Sequence, residues 1–152
     1  MLDYVCFNQH HKPSLDMQKE IIEMYYELDM SQVPFLVAAF ELEPNYVPDR
    51  INLNHFDTHF LKENMVISVL KVQGVIAGFT WFTDTPNFSH IHSFYICPEF
   101  RRKGYGTILM KHTVSLLQND VSLDAIPTNE PARAFYRSLG FYDSCVTMTR
   151  RL

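Results

Sequence analysis

Two apolar, β-branched runs, 65–72 (MVISVLKV) and 75–82 (VIAGFTWF), flank Gln73-Gly74, the pattern of a β-hairpin closed by a glycine-bearing turn. A third run, 88–97, ends at Pro98 and predicts another strand, and 3–8 predicts a short first one. Behind Ser14, a capping residue, Leu15, Ile21, Ile22, Tyr25 and Leu28 recur at near-helical spacing. Residues 31–63 are interrupted by Pro34 and predict short helices and loops, one of them over NLNHFDTHFLKEN.

Past Pro98 the pattern changes. Leu109, Met110, Thr113, Leu116 and Leu117 share one face of a predicted helix, residues 121–126 read as a further strand, and Asn129 caps a helix over 130–139. Pro131 is tolerated in that helix's first turn and Gly140 is placed to end it, after which 141–150 predicts a closing strand. The strand at 88–97 should run parallel to that at 121–126 through the intervening helix. The expected class is therefore α/β of the α+β kind: a mostly antiparallel sheet with one parallel pair, flanked by helices. Residues 1–152 read as a single domain, because 47% hydrophobic content in 152 residues supports one core.

Three cysteines without a CxxC pair suggest neither a disulfide framework nor a zinc ribbon. The N-terminus lacks a basic region followed by a long apolar run, so a cytoplasmic, non-membrane protein is expected. A formal charge of −4 argues against a nucleic-acid partner and mildly favours a cationic one.

Ligands of such sheets collect at strand carboxyl ends, which puts Arg101–Thr107 at the mouth. There Arg101, Arg102 and Lys103 precede Gly104, Tyr105, Gly106 and Thr107 at a helix start. Glycines let backbone N–H groups approach an anion, and the helix offers its positive end. A diphosphate suits this loop; a charged turn that merely starts a helix is the plainer reading. No GxxxxGK[ST] occurs, and the first glycine of a dinucleotide fingerprint is missing.

The remaining R-x-x-G-x-G string resembles the coenzyme A pyrophosphate loop of the GCN5-related N-acetyltransferases (GNAT). The segment Asn129–Phe141 is similar to that family's N-x-x-A-x-x-F-Y-x-x-L-G-F signature at every defined position. Together with the upstream hairpin the resemblance covers about residues 65–150. It implies the GNAT fold and an acetyl-CoA-dependent N-acetyltransferase, with acetyl-CoA as acyl donor, no metal, and a small-molecule amine as acceptor. It also implies that the backbone of Phe94, Tyr95 and Ile96 holds the pantetheine arm like an added strand. Arg101, Arg102, Lys103, Gly104, Tyr105, Gly106 and Thr107 would then cover the pyrophosphate, Asn129 would touch the cofactor as well as cap its helix, and Tyr136 would protonate the departing thiolate. Similar proteins are often homodimers, though no feature here demands it.

An alkylamine must lose a proton before it attacks a thioester. His90 and His92 alternate with Ile91 and so share one face, about 7 Å apart, and either suits proton shuttling. Their strand looks like that of arylalkylamine N-acetyltransferases, where a His-x-His pair relays the proton. A metal reading of the pair needs further ligands, of which Asp84 and His112 are the nearest in sequence. Asp124 is a second base candidate and Cys97 a lesser, covalent one. Tyr25, Tyr26, Phe35, Phe40, Tyr46, Phe56, Trp81 and Phe82 hold any aromatic wall for the acceptor, though most belong to the core. Acetylation of a protein (Lys or N-terminal amine) and non-catalytic acyl-CoA sensing stay as the alternative functions.

Overall fold

A computed structural model describes residues 1–152. Five strands form one sheet in sequence order: β1 (Leu2–Phe7), β2 (Met65–Val72), β3 (Val75–Asp84), β4 (Ser89–Ile96) and β5 (Val121–Leu123). All neighbours are antiparallel except β4 and β5. The hairpin turns at Gln73 and Gly74, both at positive φ (51° and 81°), the handedness that matches the twist of the flanking strands.

Helix α1 (Leu15–Phe40) begins where Ser14 accepts a hydrogen bond from the Met17 N–H at 3.3 Å. It then runs through Pro34 rather than breaking, so the expected short helices of 31–40 are one continuation. A proline removes one ladder bond, but the helix's far end is held from outside. Thr128 donates to the Phe35 carbonyl at 2.6 Å, and Arg151 donates to the carbonyls of Phe40 and Glu41. Of the predicted 52–64 helix only a 3₁₀ turn (Leu53–His55) and one α turn, α2 (Phe56–His59), form.

The main core lies between α1, α2 and one face of the sheet: Ile21, Ile22 and Met24 meet Phe56, Phe60, Ile67, Val69, Phe79 and Trp81. Trp81 donates its indole N–H to the Phe60 carbonyl at 2.9 Å, fixing the end of α2 on β3. The other face is covered by α3 (Tyr105–Leu116) and α4 (Glu130–Ser138), through Leu109 and Met110 on α3 and Tyr136 on α4. Buried Thr80 and Thr113 satisfy each other at 2.9 Å across that layer.

Two strand expectations are corrected. β5 ends at Leu123, opposite Ile91, because the two strands then part and 124–126 lose their ladder. The predicted 141–150 strand does not form. A strand exists only through a partner, and three residues of β5 are a short edge. The segment instead gives Asp143 to Arg133 and Arg137 of α4, and everything from Tyr142 onward is exposed.

Candidate active site

The parting of β4 and β5 opens the site, and a bulge in β4 aims its side chains. Trp81 pairs with Ser93 while Phe82 pairs with Ile91, leaving His92 as the extra residue. Upstream of the bulge, Ile91 packs with Phe82 and Met110 on the α3 side, so His90 and His92 face α1. Downstream the phase is reversed: Tyr95 packs into the α1 core while Phe94 and Ile96 face α3 and α4. Without the bulge His92 and Phe94 would share a face.

His90 and His92 do meet, with ring centroids 5.1 Å apart, closer than the simple strand rise predicts. His92 Nε2 is 2.6 Å from the Thr83 hydroxyl and its ring lies 4.6 Å from that of Trp81. Loss of hydration lowers the His92 pKa first, and His90 adds to this; Asp124 partly offsets it, and His59 lowers it slightly further. His90 Nδ1 is 2.7 Å from the Ser122 hydroxyl, and its Nε2 is 3.7 Å from Asp124, whose carboxylate stands in solvent just past β5.

A cavity of about 130 Å³ opens beside His92. Its walls are Tyr25, Leu28, Asp29 and Gln32 of α1, Trp81 of β3, Ile91, Ser93 and Phe94 of β4, Leu123 and Asp124, and Tyr136 of α4. The Tyr136 hydroxyl has no protein partner, and burial raises its pKa. Of the eight aromatic candidates, Tyr25 and Trp81 reach this cavity. Phe56 and Phe82 are core, Tyr26 lies under Arg50 at 4.0 Å, and Phe40 and Tyr46 are exposed.

On the far side of Phe94 the strand offers backbone. Cys97 N–H donates to the Ala77 carbonyl of β3 at 2.8 Å, so by alternation the amide groups of Phe94 and Ile96 point to the edge that β5 has left. Those of Tyr95 point to β3. Arg101 folds back, its Nε donating to the Ile96 carbonyl at 2.8 Å and its guanidinium lying 5.3 Å over the Tyr95 ring. Arg102 and Lys103 are exposed, Arg102 at φ 59°. Gly104 caps α3 at φ 84° with no side chain closing the helix end. The N–H groups at Tyr105, Gly106 and Thr107 are thus free of a cap, which is the local chemistry of an anion site. Gly106 also packs closely under α4: an added Cβ would stand 3.2 Å from the Phe135 ring. Asn129 caps α4, accepting from the Ala132 N–H at 3.2 Å.

The remaining candidates lie apart from this arrangement. Cys97 is buried against Met24, and its thiol is pushed up to about 11, chiefly by burial, which disfavours a thiolate nucleophile. Asp84 is engaged by Ser89 and Gln118, and His112 stacks on Tyr4 of β1 at the opposite edge of the sheet. No group of three or more His, Cys, Asp or Glu is arranged to hold a metal ion. No helix is long and apolar enough to cross a membrane. The α1 wall was legible in part: Tyr25, Leu28, Asp29 and Gln32 sit at i, i+3, i+4 and i+7, but their spacing alone does not tell a site from a core face.

The chain belongs to the acetyltransferase (GNAT) family, whose description matches residues 22–141. Among solved structures it is similar to a mutant of the BH1408 protein from Bacillus halodurans, at 17% identity and TM-score 0.75, covering 100% of this chain and 99% of that one. It is also similar to a ribosomal-protein-alanine N-acetyltransferase from Brucella melitensis biovar Abortus 2308, at 16% identity, TM-score 0.64 and 100% of both chains. A third similar structure is AAC(6')-Iy in complex with the bisubstrate analogue CoA-S-monomethyl-acetylneamine, at 16% identity and TM-score 0.66, covering 100% of this chain and 98% of that one. Comparison with curated proteins gave no match.

Proposed function

We propose that the protein acetylates a primary amine of a small molecule by direct attack in a ternary complex with acetyl-CoA. The observation that carries this reading is the cavity shared by His92 and Tyr136, beside the open edge of β4. The amides of Phe94 and Ile96 pair with the pantetheine arm, and the uncapped N–H groups at Tyr105–Thr107 receive the pyrophosphate, helped by Arg102 and Lys103. Arg101, spent on the Ile96 carbonyl, shapes the loop rather than reaching the phosphates. Asn129 holds the start of α4 and so the position of Tyr136 about two turns along the same helix.

His92 is the base. In the tautomer whose Nε2–H donates to Thr83, Nδ1 keeps its lone pair, and the lowered pKa keeps the ring unprotonated at neutral pH. It takes the proton of the incoming ammonium and passes it toward His90, Ser122 and the solvated Asp124. The freed amine attacks the thioester carbonyl, forming C–N as C–S breaks. Tyr136 gives its proton to the leaving sulfur, and the phenolate recovers one from the proton released by the amine. Burial raises the Tyr136 pKa, so its hydroxyl stays protonated through the cycle until the thiolate departs beside it.

The test is coenzyme A thiol release measured against a panel of small amines and of lysyl and N-terminal peptides, with initial rates taken at varied concentrations of both substrates. Intersecting double-reciprocal lines with small amines are expected. Release only with peptides would move the activity to protein acetylation. Tight coenzyme A binding with no amine-dependent release would mark a sensor.

A further inference from the structure

Of three acidic side chains along the middle of α1, two have partners. Glu23 pairs with Arg50, and Glu27 accepts from the Tyr95 hydroxyl at 2.8 Å, whereas Asp29 takes no hydrogen bond or ion pair from the protein. Asp29 is half-buried on the cavity wall, between Tyr25 one turn before it and Gln32 nearly one turn after. Loss of hydration raises its pKa, and its charge adds to the burial that pushes the Tyr25 hydroxyl up to about 12. A carboxylate in that position is costly to the protein alone and gains most from an incoming cation.

The rest of the lining sharpens the point. No Lys or Arg faces the cavity, and its two full charges are the carboxylates of Asp29 and Asp124, on opposite walls. The reacting nitrogen must be neutral when it attacks, and a carboxylate bound to it would hold its proton on. Asp29, across from His92, is therefore poorly suited to the amine that reacts and well suited to another. The cavity, about 130 Å³, is close to the ~150 Å³ that accommodates benzene, a molecule of about six heavy atoms.

Resting on the acetyl-transfer reading above, we propose that the acceptor is a short aliphatic diamine, or a compound presenting two amines about four carbons apart, whose non-reacting ammonium is bound by Asp29 while the other amine faces His92. Asp29 is then the specificity-determining residue, and Gln32 on the same helix face offers a further acceptor to the same nitrogen.

The experiment compares 1,4-diaminobutane with 1-aminobutane and 4-amino-1-butanol by coenzyme A thiol release. The wild type should favour the diamine by about tenfold or more in kcat/KM, mostly through KM. Asp29→Asn should bring that ratio toward one, and Asp29→Glu should shift the preference toward 1,3-diaminopropane; coenzyme A binding by each variant reports that it is folded. Equal use of mono- and diamines by the wild type overturns the proposal without touching acetyl transfer, as does an Asp29→Asn loss that is the same for all three amines. No turnover with any small amine defeats the acetyl-transfer reading and this one with it.

Discussion

Thr83 and His92 meet diagonally across the β3–β4 ladder, with the hydroxyl 2.6 Å from the imidazole Nε2. Thr83 pairs in register with His90, and His92, the bulge residue, lies diagonally from it on the same face of the sheet. The hydrogen bond holds the ring beside Trp81 and engages one of its two nitrogens.

The pH dependence follows from the lowered His92 pKa. A base must be unprotonated, so kcat/KM falls on the acid side, with an apparent pKa below the ordinary value of 6.5. His92→Asn should remove that limb along with most of the activity. Thr83→Val should lower kcat about tenfold through a misplaced ring, with little change in the KM for acetyl-CoA. A wild-type limb well above 6.5 would assign the base elsewhere.

Tyr136→Phe keeps the ring packed among Phe94, Phe135 and Phe141 and removes only the proton. A drop in kcat of about 100-fold is expected, within the usual range for a lost general acid. Coenzyme A affinity by calorimetry should be nearly unchanged. Undiminished turnover would leave Tyr136 a packing residue.

Gly78 of β3 carries a requirement that no motif reveals. A Cβ there would fall 2.2 Å from the Tyr95 carbonyl oxygen, a backbone atom that cannot move without breaking the ladder. Gly78→Ala should destabilise the protein by about 3 kcal/mol or more, read as a lower urea midpoint. The same displacement would reach Phe94 and Ile96, so coenzyme A affinity should fall with stability.

His112 offers a stability test away from the site. Its Nε2 is buried without a partner, its ring stacks on Tyr4 at 3.6 Å, and burial lowers its pKa from 6.5. The folded state therefore binds its proton less readily than the unfolded state does. From about pH 6.5 downward the unfolded chain gains that proton first, so this residue costs stability in acid and not above neutrality. His112→Phe keeps the stack and should stabilise by about 1 kcal/mol from the orphaned nitrogen alone. The gain should be larger at pH 5.5 than at pH 7.5 in paired urea titrations; a gain independent of pH would exclude the titration as its cause.

Much of this molecule was written in short-range pattern. The hairpin around Gly74, the Ser14 and Asn129 caps, the helix behind Gly104 and the family signature at Asn129–Phe141 depend on neighbours within a few residues, where steric and hydrogen-bonding rules act directly. Tertiary contacts decided what such rules cannot reach. Pro34 stays inside α1, whose later carbonyls take bonds from Thr128 and Arg151, and the 141–150 run stays out of the sheet because β5 offers so short an edge. The bulge at His92 reverses the face of everything after it, a one-residue slip that alternation in the sequence hides. Asp29 belongs to the same class. Its helical spacing with Tyr25 and Gln32 is plain in the sequence, but only the packing of α1 over the parted strands leaves it on the cavity wall with no partner of its own.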